Sequence, residues 1–331
     1  MLTRKEFLRR SLGALAGAAA ATSGLPGRLF SAWAAPQGEP KSRVVIARDD
    51  AAWVKGKGID SEVVKRMLSE SMVRLTGKRT PAAAWKSLFR PQDVVGIKVN
   101  CLFGPNVSTR PEVTFAVVGG LKSAGVPERN IIIWDRTDHD LSHAGYQVNR
   151  DGDGVRCYGT NGNYDTKEIR LDSFQGRLSR ILTEKVTALV NVPILKHHGI
   201  SGVTCAMKNH YGTCQNPGAL HGNHADPFLA DLNAVPAIRE KTRLIVCDAI
   251  MPVPDKGPGN GRDRWPYCGL LVGIDPVAVD WQGWQIIDAR RKEVGIPTLA
   301  DGGPRPNWIR TAARRGLGTD DPEQMDVIRI G

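Results

Sequence analysis

The amino-acid sequence predicts an α/β fold in which helices cover a mostly parallel sheet, in Rossmann-like layers. Three apolar runs, at 43–48, 93–100 and 130–135, have the length and the β-branched content of buried strands. Stretches with apolar residues at helical spacing separate these runs. Alternating strands and helices usually build parallel sheets with helices packed on their faces, so this order of elements predicts the fold class.

The helices of the first half have recognisable ends. Asp60 can cap a helix whose apolar face includes Val64. A short helix is predicted over 81–89. The residues 109–112, Thr-Arg-Pro-Glu, have the form of a capping box with proline in the first turn, and the helix that they begin is expected to end at Gly125.

The second half continues the alternation after a polar, glycine-rich segment at 137–183. This segment has no regular pattern and is predicted to be a loop-rich insertion with short hairpins. Asp275 and Pro276 are residue types preferred at the N-cap and the first position of a helix. The predicted strands are 187–195, 242–250, 269–274 and 325–330, and the predicted helices are 226–239, 275–294 and 308–315. We therefore expect one α/β domain over residues 43–331.

The first 34 residues have the pattern of an export signal. A basic start is followed by a weakly apolar, Ala/Gly-rich run at 12–25 and by the small residues of Ala32-Trp-Ala34. Residues 3–9, Thr-Arg-Lys-Glu-Phe-Leu-Arg, resemble the twin-arginine export motif, with lysine at the second arginine. We expect the twin-arginine machinery as a partner, cleavage near Ala34, a linker at 35–42 and a periplasmic or secreted mature chain. A general secretory signal or an uncleaved anchor is the alternative; the run is too short for a stable membrane span, and none is expected in the mature chain.

Composition limits the size and the partners of the protein. With 331 residues, 41% of them hydrophobic, the chain can bury one large core. The formal net charge is +11, and the basic residues are spread along the sequence without a stripe of interleaved aromatics. Nucleic acid is therefore not an expected partner. A moderate positive charge favours small anionic molecules instead.

Reactive residue types are concentrated at residues 191–214. This stretch contains three of the seven histidines and two of the six cysteines. Two Lys-x-His groups, at 196–198 and 208–210, follow the apolar run at 187–195. Reactive side chains where a buried strand enters a loop are typical of α/β active sites. Lysine can bind anions and histidine can carry protons at neutral pH, so we predict four catalytic residues. These are Lys196, His198, Lys208 and His210.

Polar residues near the ends of other elements are candidates for binding an anionic ligand or cofactor. Lys98 and Asn100 are two residues apart and therefore lie on one face of a strand. A lysine so close to a buried strand needs a carboxylate or an anionic ligand. Asp135, Asp248 and Asp275 lie at the ends of predicted strands and are candidates for that carboxylate, and Asn209 lies inside the second Lys-x-His group.

A further set of residues has the side chains of a metal site. His221 and His224 are three apart and could bind one metal ion if they lie on a helix. His197, Cys214 and Asp280 complete the predicted set. A polar loop is the alternative for the histidine pair, and a favourable position in the helix dipole is the alternative for Asp280.

The six cysteines have no CxxC spacing, which argues against a zinc ribbon or a ferredoxin-type cluster. An oxidising compartment would favour disulfides instead. Cys247 lies in an apolar run and is predicted to be a buried thiol. Cys205 and Cys214 are candidates for a disulfide, a metal ligand or a nucleophile.

Several short motifs occur in an order that resembles a known family. They are Lys98-Val-Asn100, Pro193-Ile-Leu-Lys-His-His198, Ala206-Met-Lys-Asn-His-Tyr-Gly212, His221, Gly257-Pro258 and Asp275-Pro-Val-Ala-Val-Asp280. Together they resemble the domain-of-unknown-function 362 family over roughly residues 43–290. The resemblance implies a protein that is often exported and often associated with iron–sulfur clusters, without an established reaction. Many members carry CxxCxxC runs, and this chain has none.

We therefore expect a metal- or cofactor-dependent enzyme that acts on a small anionic molecule through a cleft of lysines, histidines and aspartates. One alternative is an iron–sulfur or electron-transfer accessory protein that uses Cys101, Cys205 and Cys214. The other is a non-enzymatic ligand-binding or assembly factor with the same cleft.

Overall fold

A ten-stranded sheet forms the centre of residues 41–331, which are the part of the chain that the computed structural model describes. The export signal predicted for residues 1–34 lies outside these residues. The strands are β1 (Ser42–Arg48), β2 (Val95–Lys98), β3 (Ile131–Trp134), β4 (Arg156–Cys157), β5 (Ala188–Asn191), β6 (Ile194–His198), β7 (Gly202–Thr204), β8 (Thr242–Val253), β9 (Gly269–Gly273) and β10 (Met325–Ile330).

The sheet is mostly parallel, as the sequence predicts. Its order is β10-β1-β9-β8-β5-β2-β3-β4, and β6 pairs with β8 and with β7. Strands β7 and β9 run antiparallel to their neighbours, and the other pairings are parallel. The carboxyl ends of β2, β3, β5 and β6 therefore lie at the same edge of the sheet, and the candidate functional site lies at this edge.

Helices cover both faces of the sheet. They are α1 (Ser61–Thr76), α2 (Pro81–Leu88), α3 (Pro111–Ser123), α4 (Asp138–His143), α5 (Ala206–Asn209), α6 (Phe228–Ala234), α7 (Pro236–Arg239), α8 (Pro276–Glu293) and α9 (Trp308–Arg314). Alternate residues of β1 enter different cores: Val45 packs with α1–α3, and Ile46 packs with α6, α8 and α9. The predicted α/β fold class is confirmed.

Single-turn helices and two small hairpins complete the described structure. The 3₁₀ segments are Asp50–Ala52, Pro105–Val107, Glu128–Asn130, His210–Thr213, Pro217–Ala225 and Pro322–Gln324, and Ile181–Lys185 forms a π-helical turn. The hairpins pair Trp53–Val54 with Gly58–Ile59 and Ile169–Leu171 with Phe174–Gly176.

Capping residues begin α1 and α8 where the sequence predicts. The side chain of Asp60 accepts hydrogen bonds from the backbone of residues 62 and 63, and Gly77 ends α1 in the left-handed conformation. Asp275 accepts from the backbone of residues 277 and 278 at the start of α8, where Pro276 occupies the first turn. The capping box predicted at 109–112 does not form: α3 begins without a side-chain cap, because Oγ1 of Thr109 donates to the carbonyl oxygen of Val192 instead.

The structure departs from the sequence-based expectation at Pro193, whereas Pro236 interrupts the predicted helix at 226–239 as a proline inside a helix is expected to do. The run at 187–195 is not one strand, because β5 pairs with β2 and β8 whereas β6 pairs with β7 and β8; Pro193, which has no N–H group to donate, lies between them. Residues 196–198 consequently lie in a strand instead of the expected loop. The interrupted helix forms α6 and α7. In the segment 137–183, β4 extends the main sheet beside β3.

Across residues 41–331, the helices are too short or too polar to span a lipid bilayer.

Candidate functional site

A cavity of about 150 Å³ lies at the carboxyl edge of the sheet, between the ends of β2 and β3, the β6–β7 hairpin and the segment around α5. We call it the lysine pocket. Eight of the residues predicted as site residues line it: Lys98, Asn100, Asp135, Lys196, His198, Lys208, Asn209 and His221. The parallel strand register explains part of this convergence, because Lys98 pairs with Trp134 and Asn191 on its two sides.

Lys98 and Asp135 form a buried ion pair at one wall of the pocket. Nζ of Lys98 lies 2.7 Å from Oδ1 of Asp135 and also donates to the carbonyl oxygen of Val99 at 2.7 Å. Oδ2 of Asp135 accepts from the backbone N–H of Cys101 at 2.6 Å. This lysine therefore has the carboxylate that its burial requires.

Asparagine side chains connect β2 to α5. Nδ2 of Asn209 donates to the carbonyl oxygen of Lys98 at 3.0 Å and to Oδ1 of Asn191 at 2.7 Å. Nδ2 of Asn100 contacts Oδ1 of Asn209 at 3.4 Å. Because all these groups are paired with one another, they fix where the lysines beside them project.

Lys196 is buried on β6 and meets only neutral acceptors. Its Nζ donates to the carbonyl oxygen of Val107 at 2.7 Å and to Oδ1 of Asn100 at 3.1 Å. No carboxylate of residues 41–331 lies within ion-pair distance of this amine. Burial lowers the pKa of Lys196 to about 7.

Lys208 is a second buried lysine that has no acidic partner within residues 41–331. Its Nζ lies 3.1 Å from Nε2 of His221 and 3.7 Å from the ring centroid of Tyr211. Nδ1 of His221 donates to the carbonyl oxygen of Pro217 at 2.9 Å, so the Nε2 lone pair of the neutral ring points at the lysine. Burial lowers the pKa of Lys208 well below its usual value.

His198 stacks on His221, with ring centroids 5.4 Å apart. Its Nδ1 accepts from the backbone N–H groups of Ile200 and Ser201 at 3.2 and 3.3 Å. The proton of the neutral ring is therefore on Nε2. Burial lowers the pKa of His198 to about 2, which keeps the ring neutral at physiological pH.

The charges around the lysine pocket do not balance. Four cationic side chains line it, and Asp135 is the single carboxylate among the lining residues. Two polar atoms beside the cavity, Nε of Arg136 and Oγ1 of Thr204, are buried without a hydrogen-bond partner among the described residues. Thr204 is directly opposite Lys196 in the β6–β7 hairpin. Unpaired donors and excess positive charge favour an anionic ligand.

Three predicted histidines lie outside the pocket. His197 alternates with its neighbours on β6, so its ring points away and accepts from the backbone N–H of Gly257 at 3.1 Å. His210 is buried behind the pocket, where its Nε2 lies 3.3 Å from Nδ2 of Asn191. His224 is exposed, and its Nδ1 lies 2.9 Å from the carbonyl oxygen of Ile200.

Asp275 and Asp280 also have structural positions. Asp275 caps α8 and accepts from Oγ of Ser42 at 2.6 Å, away from the pocket. Asp280 is buried and accepts from the backbone N–H groups of Ala206 and Met207 at 2.5 and 3.0 Å, at the start of α5. It therefore positions Lys208 and Asn209 without touching the cavity. Burial raises the pKa of Asp280 to about 7.

The predicted metal ligands do not converge. Within residues 41–331, no group of three or more His, Cys, Asp or Glu side chains has the geometry of a metal site. The cysteines are buried and unbridged in the same region. Sγ of Cys205 lies 3.4 Å from Sγ of Cys247, whereas Sγ of Cys214 contacts the carbonyl oxygen of Tyr211. The set Cys101, Cys205 and Cys214 therefore does not fit an iron–sulfur cluster in this arrangement.

Several lining residues were not predicted from the sequence. Arg136 follows Asp135 directly, and this adjacency was the available signal. Thr204 carries no charge and gave no signal, whereas Tyr211 lies inside the motif at 206–212. Gly212 has a packing role, because a Cβ atom there would lie 2.6 Å from Nζ of Lys98 and 2.8 Å from Oδ1 of Asp135. The remaining unpredicted lining residues are Leu102, Phe103, Pro217 and Pro258.

The fold and the pocket together define an α/β protein with a buried, lysine-rich pocket at the carboxyl edge of its sheet. Residues 95–285, more than half of the chain, match the family described as "Domain of unknown function (DUF362)". The chain belongs to this family, as its motifs predict. No curated protein matches the sequence.

Two solved structures resemble the fold at low sequence identity. A Thermotoga maritima protein from a structural genomics consortium is 10% identical with a TM-score of 0.45, and the match covers 72% of this chain and 61% of that one. The lactate racemase apoprotein of Thermoanaerobacterium thermosaccharolyticum is 13% identical with a TM-score of 0.47, and covers 74% and 57%. The chain thus spans about six tenths of these structures, and the likeness carries no functional argument.

Proposed function

We propose that the protein is an enzyme that binds a small anionic molecule in the lysine pocket and moves a proton on or off it. One observation carries this proposal: Lys196 and Lys208 are both buried beside the cavity and meet only neutral groups. A buried ammonium group without a counter-ion costs several kcal/mol. A carboxylate or phosphate group in the cavity would remove that cost for the lysine that it contacts and would hold that lysine in its charged form.

The histidines supply the means for proton transfer. Nε2 of His198 carries a hydrogen and can donate it, whereas Nε2 of His221 has a lone pair and can accept one. The two rings are stacked against each other at the same cavity. A donor and an acceptor side by side, next to bound negative charge, are the parts that general acid–base catalysis requires.

The test is equilibrium binding of small anions by titration calorimetry. Pyruvate, oxalate and inorganic phosphate are the probes, and pyruvamide is a neutral control of similar size. We expect at least one anion to bind with one site per chain and pyruvamide not to bind. The Lys196→Met variant should lose binding. Lys241→Met is the matched control, because Nζ of Lys241 also donates to backbone carbonyls but lies outside the pocket. Equal affinity in Lys196→Met and the native chain would reject the proposal.

The predicted metal or cofactor stays a prediction. Elemental analysis and a visible absorbance spectrum of protein from its own host distinguish the alternatives. Stoichiometric metal without sulfide would support a metal-dependent enzyme, and iron with sulfide would favour the electron-transfer alternative. A tightly held anion without any turnover would favour a ligand-binding protein instead of an enzyme.

We also propose that residues 1–34 direct twin-arginine export and are removed near Ala34. The support is the sequence pattern alone. Cell fractionation in the native host, with the mass of the mature chain, tests this proposal. Replacing Arg4 and Lys5 by glutamine should retain the full-length chain in the cytoplasm, and unchanged processing would contradict it.

A further inference from the structure

Lys208, His221 and the carbonyl group of Pro217 form a chain of contacts that resembles an activated nucleophile. Nζ of Lys208 lies 3.1 Å from Nε2 of His221, and Nδ1 of His221 donates to Pro217 at 2.9 Å. The carbonyl oxygen fixes the tautomer of the imidazole, so that its lone pair faces the amine. A nucleophile, a base in hydrogen-bond reach and a third group that orients the base are the parts of covalent catalysis.

We propose that Lys208 is an amine nucleophile that forms an imine with the carbonyl carbon of a small 2-oxo acid bound in the lysine pocket. This inference rests on the proposed function, because the carboxylate of the oxo acid is the anion that the pocket binds. It adds the substrate class and a covalent step.

The surroundings of Lys208 favour the neutral, nucleophilic amine. Its Nζ is buried, and neither of its neighbours, the ring of Tyr211 at 3.7 Å and the neutral His221, supplies the full negative charge that an ammonium group would need there. Across the described ranges of the chain, no acidic side chain forms an ion pair with it. Lysines desolvated in this way, or placed beside another cationic group, are the ones that form Schiff bases. Lys196, in the same pocket, is the second cationic group. The lowered pKa of Lys208 agrees with this geometry.

The other side of the pocket can hold the carboxylate. Lys196 and the unpartnered Oγ1 of Thr204 are opposite each other across the β6–β7 hairpin. Arg136, whose Nε also has no partner among the described residues, lines the same cavity. These donors are hydrogen-bond and charge partners for a carboxylate group, while Lys208 is left for the carbonyl carbon.

The cavity has the size of a short oxo acid. A volume of about 150 Å³ is that of a cavity known to hold benzene, which has six non-hydrogen atoms. Pyruvate also has six. The inference therefore names acids of three to five carbons.

The bond changes balance without an external oxidant or reductant. The Nζ lone pair forms the C–N bond as the C=O π bond breaks. One Nζ proton passes to Nε2 of His221 and is returned to the former carbonyl oxygen. That oxygen leaves as water with the second Nζ hydrogen, and the C=N bond forms. Amine and ketone thus give imine and one water, with no net gain or loss of protons.

The experiment traps the imine in the intact mature protein. The protein is mixed with pyruvate and treated with sodium borohydride, which delivers hydride to the imine carbon and leaves a stable secondary amine on the lysine. Intact-mass spectrometry should show one adduct per chain, and peptide mapping should place it on Lys208. The Lys208→Met variant should give no adduct, and Lys241→Met should behave as the native chain does.

A second variant separates chemistry from folding and binding. His221→Gln should slow trapping about 100-fold, the size expected for loss of a general base, while calorimetry shows that pyruvate still saturates the pocket. An adduct on another lysine, or none at a pyruvate concentration that saturates the pocket, would overturn the inference but leave anion binding intact. Binding of oxalate without binding of pyruvate would overturn it in the same way. If none of the anions binds, the proposed function itself fails.

Discussion

Two buried cationic regions near the carboxyl edge of the sheet differ in one respect. Arg110 lies at the start of α3 against Asp248 of β8, and its Nη1 contacts both carboxylate oxygens at 2.8 and 2.9 Å. Asp248 also accepts from the backbone N–H groups of Arg110 and Ile250 at 3.0 Å each. Lys196, equally buried, meets a carbonyl oxygen and an amide oxygen but no carboxylate.

This difference distinguishes a cation that is neutralised within the fold, Arg110, from a cation that is available to a ligand, Lys196. The Arg110–Asp248 pair neutralises itself, and every oxygen of the carboxylate is used inside the fold. In the lysine pocket, Lys98 has its own carboxylate, whereas Lys196 and Lys208 do not. Among the described residues, the fold thus pairs Arg110 and Lys98 with acids and leaves Lys196 and Lys208 without one.

The largest effect on stability should come from breaking the Arg110–Asp248 pair. Asp248→Asn removes the charge that neutralises Arg110 and should lower the free energy of unfolding by about 3–5 kcal/mol. Urea unfolding monitored by circular dichroism measures this. A loss below about 1 kcal/mol would mean that the Arg110–Asp248 pair contributes little to the stability of the fold.

The lysine pocket should respond in the opposite way: a substitution there should weaken anion binding and leave the free energy of unfolding nearly unchanged. Lys196→Met should change the free energy of unfolding by no more than about 1 kcal/mol, because it removes an uncompensated buried amine. Anion binding should weaken about 30-fold or more, the cost of removing one member of a buried charge pair. Calorimetry and urea unfolding on the same sample give both numbers. A strongly destabilised variant would mean that Lys196 stabilises the fold, as the Arg110–Asp248 pair does, and is not held for a ligand.

The wall of the pocket should be sensitive to a single methyl group. Gly212→Ala places a Cβ atom against the Lys98–Asp135 pair and should cost about 1–3 kcal/mol of unfolding free energy, with weaker anion binding. Gly119→Ala, in α3, is the matched control because nothing lies within 4 Å of its added Cβ. That control should be neutral or stabilising by about 0.5–1 kcal/mol. Similar effects of both substitutions would argue against a tightly packed pocket wall.

The smallest effect should come from a predicted ligand residue that lies elsewhere. Asp275→Ala removes the cap of α8 and should lower the unfolding free energy by about 1 kcal/mol. Anion affinity should remain that of the native chain. A Kd change of tenfold or more, at unchanged pocket structure, would return Asp275 to the ligand-binding residues.

The fold could be predicted from the sequence because its signals are local. The caps at Asp60 and Asp275, the prolines at the starts of helices and the apolar strands all depend on neighbouring residues. The division of 187–195 could not be predicted, because Pro193 can also occupy the edge of a continuous strand. What decides the division is that β6 pairs with β7 and β8 only, which is a tertiary property.

The candidate site could be predicted in residue type but only partly in position. The sequence predicts a loop for residues 196–198, but they lie in a strand. Side chains alternate along a strand, so Lys196 and His198 face the pocket and His197 faces away. His210 and Asp280 are buried polar residues beside functional ones, and the sequence does not show whether such a residue lines a cavity or supports its wall. Oγ1 of Thr204 became a candidate only through its missing hydrogen-bond partner.

Protonation of Lys196 links anion binding to pH. The pKa of Lys196 is about 7 in the folded protein, and a bound anion favours the charged amine. Raising the pH from 6 to 8 removes the proton before binding, so the affinity should fall about tenfold over this range. Lys196→Arg keeps its charge and should bind with little dependence on pH.

The most direct measurement is the number of protons taken up when the anion binds. Calorimetric titration of oxalate at pH 7, in two buffers with different ionisation enthalpies, gives that number. We expect uptake of about half a proton or more per chain, since Lys196 is about half charged before binding, and less uptake in Lys196→Arg. Tight binding without proton uptake, or equal uptake in both proteins, would contradict the claim that the buried lysine is neutralised by the ligand.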